Sequence, residues 1–345
     1  MAVTARRGAL LALVAMGVLG GGAYLLLYGT RPAYVNPVLA NDAPDPAVIR
    51  GDDGTYYAFT TQAYFGAQFV NIPMLQSTDL VDWELVGDAF PENPEWAVPS
   101  PGDMWAPHAA RWDDGTYRLF FSAARRDNGE MAIGVATAEN PTGPFTDSGK
   151  PIITGHSFSA IDPFVLVADG TSYLYWGSAG EPISAQELNV DGTGVVSSPV
   201  EVLPRSSAEY ESLIEGAWVT EHDDRFYLMY SGDACCGPEA HYAAMVARSE
   251  SPLGPYSRNP DNPILEANEG FDAPGHHATI LGPDGHDWIL YHAMVRPETS
   301  FRSLLLDRID WVDGWPVING GNGPSGCSTV APHDPPIPRL PMCGG

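Results

Sequence analysis

The chain has 345 residues, with 17 Lys and Arg against 43 Asp and Glu, a net charge of −26 at pH 7. So acidic a surface repels nucleic acid and anionic lipid headgroups and favours solubility, which excludes nucleic acid as a partner and favours a neutral substrate over a polyanion. The first 34 residues carry three Arg and no acid, so the rest, long enough for one large β domain, is more acidic still.

Residues 8–29 are uncharged and mostly apolar, and Arg6 and Arg7 precede them. Positive charges ahead of an apolar run hold the N-terminus in the cytoplasm and send the rest of the chain outside. The length suits a membrane span of about 20 residues, while the Gly and Ala content also suits a long cleaved signal. Segment 1–34 therefore reads as a signal peptide or a membrane anchor. The remainder is expected outside the cell, secreted or held at the outer face of the cytoplasmic membrane, with no other membrane contact.

From residue 35 one pattern recurs five times. The runs DAPDPAVIR (42–50), MWAPHAARW (104–112), AIDPFVLVA (160–168), EGAWVTEH (215–222) and GHHATILG (276–283) are each followed by a tight turn and an aromatic-rich run. The turns are DDGTYYAF, DDGTYRLFF, ADGTSYLYW, DDRFYLMY and PDGHDWILY, spaced 54 to 61 residues apart. Asp-Gly between alternating apolar runs is a strong hairpin signal, because glycine accepts the positive φ of the turn. Third strands come next at 74–77, 132–137, 244–248 and 303–309, and Gly143-Pro144 and Gly254-Pro255 mark further turns. Repeats of a few antiparallel strands with periods near 40–50 residues or somewhat longer make propeller blades. No helical period stands out after residue 35. The expectation is an all-β, five-bladed β-propeller over 35–320, acting as a monomer, with a Pro-rich tail at 321–345.

Four cysteines in an exported chain suggest disulfides. Cys327 and Cys343 bracket the tail and could tie it down, leaving Cys235–Cys236 as a vicinal bridge; pairing of each with a tail cysteine is the rival. Either way the cysteines read as structural.

In a propeller the first strand of each blade lines the central channel, so the five runs converge. Asp45, His108, Asp162, Glu215 and His277 hold comparable places in them. A lone Asp usually caps a turn, but three acids and two histidines in one register point to a shared site. Hydrolysis of a glycosidic bond needs one protonated carboxyl to deliver a proton to the leaving oxygen and one ionised carboxyl to activate water or attack the sugar. A third carboxylate nearby raises the acid's pKa by like-charge repulsion. Asp103 and Asp272 lie just before their strands. His277 could hold water or a cation on the channel floor.

PDPAVIR around Asp45, WAP at 105–107, IDPFVL around Asp162, EGAW around Glu215, GHHAT around His277 and DGWPVI at 313–318 together resemble glycoside hydrolase family 43, in the family's order and over nearly the whole chain after residue 35. The resemblance implies an inverting hydrolase of α-L-arabinofuranosides or β-D-xylosides, with oligo- or polysaccharide as the partner. It implies Asp45 as general base, Glu215 as general acid and Asp162 as the residue that tunes and positions Glu215. It further implies no cofactor for the chemistry itself, and a hydrated calcium ion in the channel near His277 beneath the sugar. GHHAT tilts the expectation toward arabinan or arabinofuranosyl side chains; a β-xylosidase and a non-catalytic sugar-binding propeller are the alternatives. Two departures stand out: His108 where the family commonly has an acid, and the Cys235-Cys236 pair. Trp105 and Phe65 are candidates to stack on sugar, whereas Trp83, Trp288, Trp311 and Trp315 suit blade cores. Arg302 or Arg296 could donate to a sugar hydroxyl or pair with acids at a blade edge.

Overall fold

The computed structural model describes residues 33–297, 301–328 and 330–332. Segment 1–34, save its last two residues, and most of the 321–345 tail lie outside them. Five antiparallel sheets succeed one another along the chain, each built from a contiguous stretch and ordered innermost strand first; four have four strands, and the second has a fifth short one. Their innermost strands are Ala47–Arg50, Met104–Arg111, Phe164–Ala168, Ile214–His222 and Phe271–Leu281. Each touches the innermost strands of the blades on either side, and the fifth touches the first, so the ring is closed. Among the described residues there is no α-helix, only a 3-10 turn at Asn319–Gly321. The five-bladed propeller is as expected.

The inner hairpins turn where the sequence indicates. Gly54, Gly115, Gly170 and Gly285 have φ between 75° and 85°, and the fourth blade substitutes Asp223 and Asp224 at φ 48° and 57°. Asp tolerates this region better than most residues because its short side chain bonds nearby backbone. Asp53 and Asp114 do so directly, accepting the N–H of Thr55 and Thr116 at 3.0 and 2.8 Å.

Closure is made by the segment just ahead of blade 1, which runs back along blade 5. Tyr34–Val35 pairs antiparallel with Cys327–Ser328, and Leu39 bridges to Leu304. The buried Asn36 amide donates to the carbonyls of Leu306 (2.9 Å) and Ser325 (3.0 Å) and accepts the Leu306 N–H (2.9 Å). One polar side chain thus satisfies three buried backbone groups at the seam.

Deep in the channel, side chains from nonadjacent blades meet. The His108 ring of blade 2 lies 4.7 Å from Phe164 of blade 3 and 5.2 Å from Trp218 of blade 4, and Phe164 lies 4.6 Å from Trp218. This aromatic plug corrects the expectation for His108. Two residues along from the site position, it shares its register with Phe164 and Trp218 and is packing, not lining. Burial pushes its imidazole down to about 3, so it is neutral. Of the cysteines, Cys235 and Cys236 are joined to each other; the expected Cys327–Cys343 pairing involves a residue outside the described ones. Trp83 and Trp288 are buried in the core as expected, and Trp311 and Trp315, on the outer strands of blade 5, pack partly buried against the core between blades 4 and 5.

Candidate active site

At one position of each innermost strand, or just ahead of it, the backbone turns left-handed: Asp45 (φ 54°), Ala106 (40°), Asp162 (61°), Gly216 (62°) and His276 (43°). Strand pairing is broken there by bulges in blades 2, 4 and 5, between Trp105 and His108, between Glu215 and Trp218, and between Gly275 and His277. Such bulges re-aim side chains, and strained backbone of this kind concentrates at functional sites. The five turns surround one end of the channel. There a cavity of ≈ 470 Å³ is lined by Asp45, Asp162, Glu215, His276 and Arg302, by Thr61, Gln62 and Asp103, and by an apolar set of Trp105, Phe158, Ile161 and the Cys235–Cys236 disulfide.

Asp45 is the most heavily partnered carboxylate in the cavity. Its Oδ2 accepts from the Thr61 hydroxyl (2.6 Å), which itself accepts the Ala106 N–H at 2.7 Å, and its Oδ1 accepts from Arg302 Nη1 at 3.0 Å. His276 Nδ1 and His292 Nδ1 stand 3.3 and 3.2 Å from the same Oδ1. Burial disfavours the charge, but the Arg302 guanidinium and then His276 and His292 outweigh it and hold the carboxyl well below the usual carboxylate range. Asp45 is ionised.

Glu215 is equally buried but has no cation against it. Burial raises its pKa, the hydroxyls of Ser178 and Tyr242 partly offset that by donating to its two oxygens, and the Asp45 charge raises it again. The Tyr242 bond is 2.9 Å long. Asp162 accepts the Gly216 N–H at 2.9 Å and so grips the residue next to Glu215. Desolvation, then the charges of Glu215 and Asp45, push its pKa well above the ordinary value. Of these three carboxyls, one is locked in its charged form and two favour a proton.

The structure brings together Asp45, Asp162 and Glu215, which the repeat placed in one register, and Trp105 and Arg302, the candidates for sugar contact. Two expected contacts are corrected. His277 is 1% exposed and does not reach the cavity, because a one-residue step along a strand reverses the side chain; its neighbour His276 faces the carboxylates instead. Phe65, on the hairpin Ala63–Phe65/Gln68–Val70, packs against the core, and Phe158 supplies the aromatic ring at the cavity. Arg296 pairs at the surface with Asp272, away from the lining. Aligning Asp45-Pro46, Ala106-Pro107 and Asp162-Pro163 with Gly216-Ala217 and His276-His277 would have found His276. Tyr242 and His292 come from other strands, Thr61 and Ser178 from the loops just past the second strands of blades 1 and 3, and nothing in the sequence singles them out.

Both ring nitrogens of His277 and the Nε2 of His292 are buried without a protein partner. Buried polar atoms of this kind call for water or an ion. Calcium takes roughly 6–8 oxygen ligands, whereas the atoms here are imidazole nitrogens, and no three His, Cys, Asp or Glu side chains among the described residues group to hold a metal. The residues present do not fit a directly bound calcium; an ion here would have to be held through its water.

The family model for glycosyl hydrolases family 43 matches residues 34–316. The chain belongs to glycosyl hydrolases family 43. Within the family it is 28% identical over 300 residues to the arabinan endo-1,5-alpha-L-arabinosidase A of Aspergillus niger, covering 79% of this chain and 90% of that one. It is 30% identical over 303 residues to the non-reducing end alpha-L-arabinofuranosidase BoGH43B of Bacteroides ovatus, covering 84% of this chain and 54% of that longer one. Among solved structures, a thermostable family-43 glycoside hydrolase superposes with a TM-score of 0.75 at 28% identity, covering 88% of this chain and all (100%) of that one. This family 43 enzyme is a glycosidase with a five-bladed propeller.

Proposed function

We propose that this glycosidase cleaves arabinofuranosyl linkages in arabinan or in arabinose-bearing side chains of plant polysaccharide, with inversion at the anomeric carbon. The observation that carries the reading is the opposed ionisation of two carboxyls in one cavity: Asp45 held charged by Arg302, Glu215 biased toward its acid form by burial. In the reaction, Asp45 takes a proton from a water whose oxygen attacks the anomeric carbon. Glu215 delivers its proton to the glycosidic oxygen as the C–O bond breaks. Asp162 positions the acid through the Gly216 N–H, and the Asp45 charge, with burial, favours the protonated form of Glu215. Inversion needs the two carboxyls roughly 6.5–9.5 Å apart, leaving room for water. Trp105 and Phe158 offer ring faces for the apolar side of the sugar, and Arg302, already bonded to Asp45, has further N–H groups for a hydroxyl. The activities of the Aspergillus and Bacteroides relatives support the arabinose preference.

Export through segment 1–34 and a water-held calcium beneath the sugar belong to the same proposal. The test is sugar release from 4-nitrophenyl α-L-arabinofuranoside, linear arabinan, arabinoxylan and xylobiose, with Glu215→Gln alongside. Arabinose release that the variant lowers by about 10²–10⁴-fold is expected of a lost general acid, and NMR of the first product should show the inverted anomer. Release from xylobiose alone would reassign the enzyme as a β-xylosidase. A chelator series on the same assay, with calcium added back, tests the ion.

A further inference from the structure

The Cys235–Cys236 disulfide lies in the loop between the second and third strands of blade 4, Arg225–Ala234 and His241–Ser249, and both cysteines line the cavity. Blade 4 also carries Glu215 on its first strand and Tyr242, the phenol that holds Glu215, on its third. At the neck of the loop, Asp233 Oδ2 meets His241 Nδ1 at 2.8 Å, and the His241 ring stacks on Tyr210 with centroids 4.4 Å apart and planes 15° from parallel. The loop is therefore fastened at its base to the strand pair that fixes the proposed acid. Beyond that neck Cys235 is half-buried and Cys236 exposed.

Joining adjacent residues closes a small ring through the backbone, which stiffens the dipeptide and removes both thiol donors. What remains is a compact, polarizable, apolar surface. Trp105 and Phe158 belong to blade 2 and the connection to blade 3, so the cavity has apolar walls from two separate parts of the ring, with Asp45, Arg302 and His276 also lining it. A pentose presents hydroxyls along its edge and C–H groups on its faces. The geometry points to the disulfide as a specificity-determining wall: it packs against the C–H face of the bound sugar and favours the thin furanose ring over a pyranose chair. This rests on the arabinofuranosidase reading above.

The test uses two paired variants, Cys235→Ser/Cys236→Ser and Cys235→Val/Cys236→Val, assayed with 4-nitrophenyl α-L-arabinofuranoside and 4-nitrophenyl β-D-xylopyranoside. The Ser pair should raise KM for the arabinofuranoside by about tenfold, in the range that loss of a small apolar contact gives, with kcat little changed and the preference over xyloside reduced. The Val pair, also without the bond but apolar, should retain most of the affinity. An unchanged KM in the Ser pair overturns the proposal, as does an equal loss in both pairs, which would mean that stiffness alone matters. A second measurement uses the wild-type protein and needs no folded variant. Mild phosphine reduction and then alkylation, mapped by mass spectrometry, should label Cys235 and Cys236 more slowly with methyl α-L-arabinofuranoside present than with methyl β-D-xylopyranoside, glycosides locked as furanose and pyranose. Equal labelling overturns the proposal. Wild-type activity on the xyloside only would instead defeat the arabinofuranosidase reading, and this proposal with it.

Discussion

Asp45 and Glu215 divide one cavity into a charged and a protonated half, and single side chains set where each titrates. Activity should be lost as pH falls through the depressed pKa of Asp45 and as pH rises through the elevated pKa of Glu215, giving a bell. Tyr242 donates to Glu215 Oε1, which favours the carboxylate; Tyr242→Phe removes that preference, so the basic limb should move to higher pH while the acid limb stays. Arg302 lowers the pKa of both Asp45 and Glu215. Arg302→Met should therefore carry both limbs upward, so that activity is already lost at a pH where the wild type works. The pH dependence of kcat/KM for the three proteins checks both expectations. At this scale the sequence was legible where a residue's own strand aims it: Asp45, Asp162 and Glu215 were found from register alone. Ser178 and Tyr242 were not, because a hydroxyl that arrives from a loop of the neighbouring blade or from another strand leaves no spacing to read.

The inner strand is the element on which the site depends. Each carries one left-handed residue near the cavity, and what stands there decides what the blade contributes: a carboxylate in blades 1 and 3, an imidazole in blade 5, no reactive group in blade 2. In blade 4 the position is Gly216, where an added Cβ would come within 3.4 Å of the His276 ring at a φ of 62°. Gly216→Ala should cost about 1–2 kcal/mol from the left-handed backbone alone. Because its N–H also holds Asp162, kcat should fall as well. Thermal unfolding and kcat measured on one preparation check the pair of effects. This register also explains the histidine correction. Counting from the apolar run made His277 the equivalent of Asp45, but the bulge inserts a step and turns His276 inward. Sequence spacing resolves a strand to within a residue or so, and a one-residue error exchanges cavity for core.

Across the whole molecule, five sheets depend on one seam. The ring is closed where the segment before blade 1 pairs along blade 5, and Asn36 pairs the Leu306 N–H and two carbonyls there, sharing the Leu306 carbonyl with the Tyr34 hydroxyl. Asn36→Ala leaves the Leu306 N–H and the Ser325 carbonyl without this partner, while the Leu306 carbonyl keeps the Tyr34 hydroxyl, and should destabilise the fold by about 2 kcal/mol, seen as a lower denaturation midpoint. Activity at low temperature should hardly change, since Asn36 does not line the cavity.

The sequence by itself determined the repeat. Five Asp-Gly-type turns at a near-constant period dictate hairpins, because few residues accept a positive φ, and hairpins with an apolar face must stack. The shared register marks the three carboxyls, and the family motifs add their chemical roles. Tertiary structure alone decided which histidine faces Asp45, that Phe158 and not Phe65 meets the sugar cavity, and that His108 plugs the channel between Phe164 and Trp218. It also joined Cys235 to Cys236 at the cavity wall. Local patterns report the conformation a short stretch prefers, whereas the partners of a side chain depend on where five separate strands end up around one axis.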